Sequence, residues 1–112
     1  MLWEWNGTHW NRLDVSVPPG RTNHSMVLDP VRRRIVLYGG GISGSDFVFS
    51  DTWEWDGEAW TELDISGPPG REMLGMIFDP QSKRIFVVGG RGPNRETLKD
   101  VWSFDGSAWR RH

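Results

Sequence analysis

The sequence repeats itself with a period of 50 residues, and this repeat limits the folds that the chain can adopt. Residues 3–7, Trp-Glu-Trp-Asn-Gly, align with residues 53–57, Trp-Glu-Trp-Asp-Gly, and the register holds through residues 18–21 and 68–71, both Pro-Pro-Gly-Arg. A third, partial copy follows after a one-residue deletion, so that Trp53 maps to Trp102. A period near 50 is typical of propellers and solenoids, in which each repeat buries its faces against neighbouring repeats.

Each repeat has the pattern of short strands joined by turns. Residues 22–28 alternate between two faces, and residues 34–38 and 84–88 are apolar runs that end in a glycine pair. Such runs predict strands that are buried on both sides. Turn signals separate the strands: Asp29-Pro30, Asp79-Pro80, Asn6-Gly7, Asp56-Gly57 and Asp105-Gly106. We therefore predict an all-β fold with four antiparallel strands per repeat and ten strands in the chain.

Two features of this pattern resemble the kelch repeat, a four-stranded blade of a β-propeller. They are a buried strand that ends in a glycine pair, and two aromatic residues with six residues between them. The residues are Gly39-Gly40 and Gly89-Gly90, and Trp3 with Trp10, Trp53 with Trp60, and Trp102 with Trp109. A further kelch feature, an arginine followed three residues later by His-Ser, occurs as Arg21, His24 and Ser25. The resemblance covers the whole chain and implies a propeller of the kind found in the galactose oxidase central domain.

The tryptophans are predicted to be core residues. Aromatic side chains at alternating strand positions, such as Trp53 and Trp55, suit the space between neighbouring blades. A tryptophan platform that stacks sugars or bases is the alternative, but it fits less well because these residues recur at strand positions in each repeat.

The strand count predicts an incomplete propeller. Residues 1–16 are expected to form the outer hairpin of one blade, residues 17–66 one full kelch repeat, and residues 67–112 a second. Closed propellers have about four to eight blades, so two and a half blades do not close a ring. A ring of identical copies is disfavoured because each copy would leave one outer hairpin without its inner half. We expect missing blades from a longer chain, or edge strands that associate with another chain.

The loops that follow the glycine pairs, residues 41–50 and 91–99, are the best candidates for binding because they are long and differ most between the repeats. The first loop carries Asp46, Phe47 and Phe49, and the second carries Arg91, Asn94 and Arg95. An aromatic side chain beside charged groups suits a protein contact. An ordinary solvated loop is the alternative in both cases.

Arg21 and Arg71 recur at the start of the predicted innermost strand of each blade. Two roles are open for them. They could line the channel of a full ring and hold an anion by paired hydrogen bonds. The favoured role is structural, with each arginine bonding backbone carbonyls or an acidic residue of the adjacent blade. The acidic residues that recur are Asp14, Asp51, Asp64 and Asp100.

Composition excludes several classes of function. The chain has no cysteine, which removes disulfide scaffolds, thiolate metal sites and the cysteine-crosslinked tyrosine of galactose oxidase chemistry. The net charge of -2 predicts binding neither to nucleic acid nor to an anionic membrane surface. Neither a signal peptide nor a transmembrane segment is predicted in the chain. The composition does not predict a compartment.

No catalytic constellation, metal site or cofactor is predicted. The three histidines are scattered, and no phosphate-binding or nucleophile motif is present. We therefore expect a non-catalytic binding or scaffold module that contacts a protein partner through its inter-strand loops. The alternative is a fragment of a kelch-propeller enzyme that acts on carbohydrate, of the epimerase type.

Overall fold

The computed structural model describes residues 2–13 and 17–112, and every regular element in these ranges is a strand. The ten strands are β1 (Leu2–Trp5), β2 (Trp10–Leu13), β3 (Ser25–Asp29), β4 (Arg34–Tyr38), β5 (Thr52–Trp55), β6 (Trp60–Glu62), β7 (Gly75–Asp79), β8 (Arg84–Arg91), β9 (Thr97–Phe104) and β10 (Trp109–Arg111). The predicted all-β fold of ten strands is confirmed. Asp14, which was a predicted arginine partner, lies outside the described residues. Within those ranges there is no helix that could cross a membrane.

The strands form three antiparallel sheets that follow one another along the chain. β1 and β2 form a hairpin, β3–β6 form a four-stranded sheet that we name blade 1, and β7–β10 form an equivalent sheet that we name blade 2. The pairing repeats with the sequence, since Val27 pairs with Val36 in blade 1 and Ile77 pairs with Phe86 in blade 2. This is an incomplete propeller of two and a half blades, as predicted.

The innermost strands begin later than the alternating pattern predicted. β3 begins at Ser25 rather than at Thr22. Asn23 has a left-handed backbone with φ of 57°, and Met73 in blade 2 has φ of 55°. A left-handed residue interrupts the extended chain, so the predicted strand was wrong over residues 22–24.

The turns between strands are stabilised by their own aspartates. Asp29 accepts hydrogen bonds from the backbone N–H groups of Val31 and Arg32 at 3.0 and 3.2 Å. Asp56 and Asp105 do the same for the two residues that follow each Asp-Gly pair. These bonds explain why the Asp-Pro and Asp-Gly signals marked the turns correctly.

Each blade has two faces, because residues opposite one another in an antiparallel pair point to the same side of the sheet. We call the face that carries the tryptophans of β5 and β9 the A face, and the other the B face. The B face of blade 1 packs on the A face of blade 2, and this contact forms the core. It contains Val36 and Tyr38 from blade 1 and Leu74, Ile85, Val87, Phe104 and Trp109 from blade 2.

The A face of blade 1 is not covered by any described strand. It carries Met26, Leu28, Ile35, Leu37, Trp53, Trp55 and Trp60. Met26 and Leu28 are more than half exposed. The β1–β2 hairpin contacts neither blade within the described part of the chain.

The tryptophans consequently differ in burial. Trp109 belongs to the core, whereas Trp53, Trp60 and Trp102 are half-buried. On the hairpin, Trp3 and Trp10 are at least half exposed. Among these residues, Trp109 is a buried core residue and Trp102 packs against the core, because both lie on the face of blade 2 that contacts blade 1.

The glycine pair allows the two blades to approach closely. Gly39 and Gly40 have φ of 74° and 107°, and the N–H of Gly40 donates to the carbonyl of Arg71 in the next blade at 2.8 Å. A Cβ on Gly39 would lie 2.6 Å from that carbonyl oxygen. Only glycine fits both the backbone conformation and the contact.

Candidate functional site

A polar pocket of about 230 Å³ lies between the two loops that follow the glycine pairs. One wall is formed by residues 42–46 of blade 1, and the other by Arg91, Gly92 and Arg95 of blade 2. Thr22, Asn23 and Glu72, which precede the innermost strands, complete the lining. The fold brings the two loops together because each connects the second and third strands of its blade and therefore lies at the same end of the sheets.

The blade 1 loop is held in shape by short-range hydrogen bonds. Ser45 donates its backbone N–H to the carbonyl of Ile42, and its Oγ accepts the N–H of Phe47, both at 3.0 Å. Gly44 adopts a φ of 79° in this turn. The turn places Asp46 at the pocket wall and leaves Phe47 on the surface beside it.

The blade 2 loop is shorter than predicted. β8 continues to Arg91 and β9 begins at Thr97, so only residues 92–96 connect them, and the predicted loop of residues 91–99 was wrong at both ends. A β-bulge between Val88 and Gly90 shifts the register and allows the ladder to continue past the glycine pair.

Two ion pairs lie in the pocket region, and one of them joins the two loops. Arg95 Nε and Asp46 Oδ1, from opposite loops, are 2.9 Å apart and largely exposed. Glu72 is buried and accepts hydrogen bonds at Oε1 from Arg91 Nη2 at 2.9 Å and from Asn23 Nδ2 at 3.2 Å. The pocket therefore presents two carboxylates and two guanidinium groups, with no net formal charge.

The pocket brings three of the predicted loop residues together, namely Asp46, Arg91 and Arg95. Asn94 is exposed at the tip of its loop, where its backbone N–H donates to Glu96 Oε2. Sequence reasoning missed Glu72 and Asn23. A difference between the repeats could have identified Glu72. The residue after the repeated arginine is Thr22 in the first repeat and Glu72 in the second.

The two phenylalanines of the first loop have different surroundings. Phe47 is 52% exposed, and its ring contacts Phe49 edge to face at 4.9 Å between centroids. The Phe49 ring also covers the guanidinium of Arg21 at 3.8 Å. Phe47 is therefore the aromatic side chain of this loop that a partner can contact, and the Phe49 ring packs against it.

Arg21 and Arg71 lie outside the pocket and use their donors within their own blades. Arg71 donates Nε to Pro69 O and Nη1 to Gly89 O, both at 3.1 Å, and its two Nη atoms bond the carboxylate of Asp100. Arg21 repeats these contacts with Pro19, Gly39 and Asp51. Both side chains are almost fully buried, so neither guanidinium is open to an anion.

The acidic partner of each arginine does not lie in the blade that was predicted. Asp51 and Asp100 lie in the same blade as their arginines, not in the adjacent blade as predicted. Each carboxylate also accepts the indole N–H of the tryptophan two residues later, at 2.7 Å for Trp53 and 2.8 Å for Trp102. The hydrogen bonds from Arg71 lower the pKa of Asp100 well below its usual range. Burial opposes ionisation of Asp51, but the bonds from Arg21 and Trp53 outweigh it and lower that pKa too.

No cluster of histidine and carboxylate side chains that could hold a metal ion occurs in residues 2–13 and 17–112. The pocket instead offers hydrogen-bond donors and acceptors from both loops. Such a surface can orient a polar or charged group by several directed bonds, and the neighbouring Phe47 can contact an apolar group.

Comparison with known proteins supports the fold. No family model and no curated protein matches the sequence. Among solved structures, the one titled "Structure of YjhT" superposes with a TM-score of 0.72 over 97% of this chain, at 14% sequence identity. The superposition covers 43% of that protein, so this chain spans less than half of its length. The likeness shows a shared propeller-like fold.

Proposed function

We propose that the chain is a kelch-type propeller segment that acts as a non-catalytic binding module and contacts a protein partner through the pocket loops. The observation that carries this proposal is the placement of exposed Phe47 beside the Asp46–Arg95 ion pair. Both lie on loops that differ most between the two repeats, whereas the strands are occupied by packing.

The chemistry of the loops favours a protein ligand. Phe47 presents a large apolar ring with few rotatable bonds, so ordering it on binding costs little conformational entropy. The Asp46–Arg95 pair is exposed and contributes little stability to the free chain. A partner carboxylate can therefore replace Asp46 on Arg95 at low cost, and a bidentate contact of this kind gives directional specificity.

The experiment is affinity capture from the source cells with the chain and matched variants. Phe47→Ala and Arg95→Glu alter the proposed contact, and Arg110→Glu changes another exposed arginine, which lies on the outermost strand. We expect the wild type and Arg110→Glu to capture a protein that both loop variants fail to capture. In calorimetry, the purified form of that protein should bind the wild type and Arg110→Glu more tightly than it binds the loop variants. Equal capture by all four proteins would contradict the proposal.

A second candidate, part of a propeller enzyme that acts on carbohydrate, is favoured by the polar lining of the pocket. The hydroxyl groups of Thr22, Ser43 and Ser45 and the two ion pairs resemble the donor and acceptor density that a sugar requires. Saturation-transfer NMR with neutral and acidic monosaccharides distinguishes this candidate function from protein binding. A sugar signal that Arg95→Glu abolishes and Arg110→Glu preserves favours the enzyme, and no signal from any sugar favours protein binding.

A further inference from the structure

Blade 2 contains a socket that is filled by a tyrosine of blade 1. The side chain of Tyr38 is fully buried, and its hydroxyl donates to the carbonyl of Pro68, with the carbonyl of Pro69 at 3.3 Å. Its ring lies 5.4 Å from the ring of Trp109, between centroids. Beside it, the indole N–H of Trp109 donates to Thr52 Oγ1 of blade 1 at 3.0 Å. The socket thus recognises a phenol by its ring and by its hydroxyl.

Blade 1 carries the equivalent socket, and none of the described residues fills it. A cavity of about 240 Å³ lies on the A face of blade 1 at the corresponding positions. Its lining includes Pro18, Pro19, Arg21, His24, Leu37 and Trp60, which the repeat aligns with Pro68, Pro69, Arg71, Leu74, Val87 and Trp109. Pro19 O accepts Arg21 Nε just as Pro69 O accepts Arg71 Nε, at 3.1 Å in both. The wall that binds the tyrosine hydroxyl in blade 2 is therefore repeated in blade 1.

The indole nitrogens of the two sockets also have different surroundings. Trp60 Nε1 is buried, and it has no hydrogen-bond partner among the described residues. The equivalent atom of Trp109 is paired with Thr52. The described residues of blade 1 therefore lack the interblade hydrogen bond that Trp109 makes in blade 2.

We propose that this socket binds a tyrosine side chain carried on a strand of another polypeptide. The ring would pack on Trp60 and Leu37, and the hydroxyl would donate to the carbonyl of Pro18, beside the carbonyl of Pro19. The site lies on the face of blade 1, so it is separate from the loop pocket and does not depend on the function proposed for that pocket.

A second copy of this chain is a poorer occupant. Its exposed B face, on blade 2, carries Val88 where blade 1 has Tyr38, and Val101 where blade 1 has Thr52. It therefore offers neither the phenol nor the acceptor. The partner must differ from blade 2 at these two positions.

His24 is the main difference between the open and filled sockets, since it replaces Leu74. Partial burial, and then the charge of Arg21, lower the pKa of the His24 imidazole. The ring is therefore mostly neutral at pH 7, and it adds one polar group to the rim without adding charge.

The test uses a peptide copy of the strand that fills the blade 2 socket, Arg-Ile-Val-Leu-Tyr-Gly-Gly, and the same peptide with phenylalanine in place of tyrosine. The indole N–H signal of Trp60, assigned with Trp60→Phe, is followed by NMR during titration. We expect the tyrosine peptide to shift this signal and to bind about tenfold more tightly than the phenylalanine peptide, because one buried hydrogen bond is lost. His24→Trp, which fills the socket, should abolish the shift, and Arg95→Glu in the loop pocket should not.

A control in the same chain measures whether an emptied socket binds a phenol. Tyr38→Ala empties the blade 2 socket, and 4-methylphenol should raise the melting temperature of this variant more than toluene does. Equal affinity of the two peptides, or no shift of the Trp60 signal while 4-methylphenol stabilises Tyr38→Ala, would overturn the proposal. Self-association of the chain that Trp60→Phe and Ile77→Lys both abolish would overturn it in favour of a second copy.

Discussion

Arg71 and Asp100 form a two-bond ion pair, with Nη1–Oδ1 at 2.5 Å and Nη2–Oδ2 at 2.8 Å, and this pair ties the segment before the first strand of blade 2 to the third strand. Arg21 and Asp51 repeat both distances in blade 1. Because the same arginines also bond the carbonyls before β3 and β7 and within the glycine pairs, each one joins three segments at one end of its blade. The ion pairs are thus part of the blade architecture.

Asp100→Asn should destabilise the chain by about 3–5 kcal/mol, because it leaves the fully buried guanidinium of Arg71 without a counter-charge. Urea unfolding followed by circular dichroism measures this change. Asp46→Asn is the matched control, since its pair with Arg95 is exposed and contributes about 0–1 kcal/mol. Similar losses in the two variants would show that the Arg71 pair is no stronger than a surface pair.

Stability should fall in acid. The pKa values of Asp51 and Asp100 are lower in the folded chain than the ordinary value of 3.8. The folded state therefore binds fewer protons than the unfolded state, so the stabilisation is complete above about pH 5 and is lost progressively as the pH falls further. Melting temperatures between pH 7 and pH 2 measure this loss.

The double variant Asp51→Asn/Asp100→Asn identifies the source of the acid sensitivity. It should be less stable at pH 7 and should lose less stability below pH 4 than the wild type. Part of the pH dependence of the melting temperature should remain, because hydrogen bonds in the turns also lower the pKa values of Asp56, Asp79 and Asp105. If the melting temperature of the double variant depended on pH as strongly as that of the wild type, the acid sensitivity would come from the turns alone.

The repeat made most of the fold predictable. One strand could be placed closely because the Asp-Pro turn and the glycine pair bound it, and β4 matches the predicted range of residues 34–38. The errors lie where tertiary contacts override local pattern. A bulge at Val88 extended β8 and β9 beyond the glycine pair, and a left-handed Asn23 shortened β3.

The candidate site was less predictable, because it depends on which residues meet between blades. The loops could be chosen by their divergence, but spacing alone did not show that Asp46 and Arg95 meet across the gap. Glu72 belongs to the segment before an inner strand and was therefore not considered with the loops. The socket on blade 1 required a comparison of two repeats in three dimensions, one filled by Tyr38 and the other open.

Gly39→Ala should be more damaging than Gly44→Ala, although both glycines have a left-handed backbone with φ near 74–79°. An alanine at either position incurs about 1–2 kcal/mol of backbone strain. At Gly39 the new Cβ would also lie 2.6 Å from the carbonyl oxygen of Arg71, whereas nothing lies within 4 Å at Gly44. Overpacking of this kind adds about 1–3 kcal/mol. Urea midpoints compare the variants, and equal losses would show that the blades separate readily at the glycine pair.

Alanine substitutions of the tryptophans should follow burial rather than position in the repeat. Trp109→Ala should cost about 3–5 kcal/mol, because it empties the core between the blades and removes the bond to Thr52. Trp60→Ala should cost less, since its face of blade 1 is open, and Trp10→Ala on the exposed hairpin should change stability by about 0.5 kcal/mol at most. Urea unfolding followed by far-ultraviolet circular dichroism gives the order. A Trp10→Ala loss as large as that of Trp109→Ala would mean that the β1–β2 hairpin packs on a blade in solution.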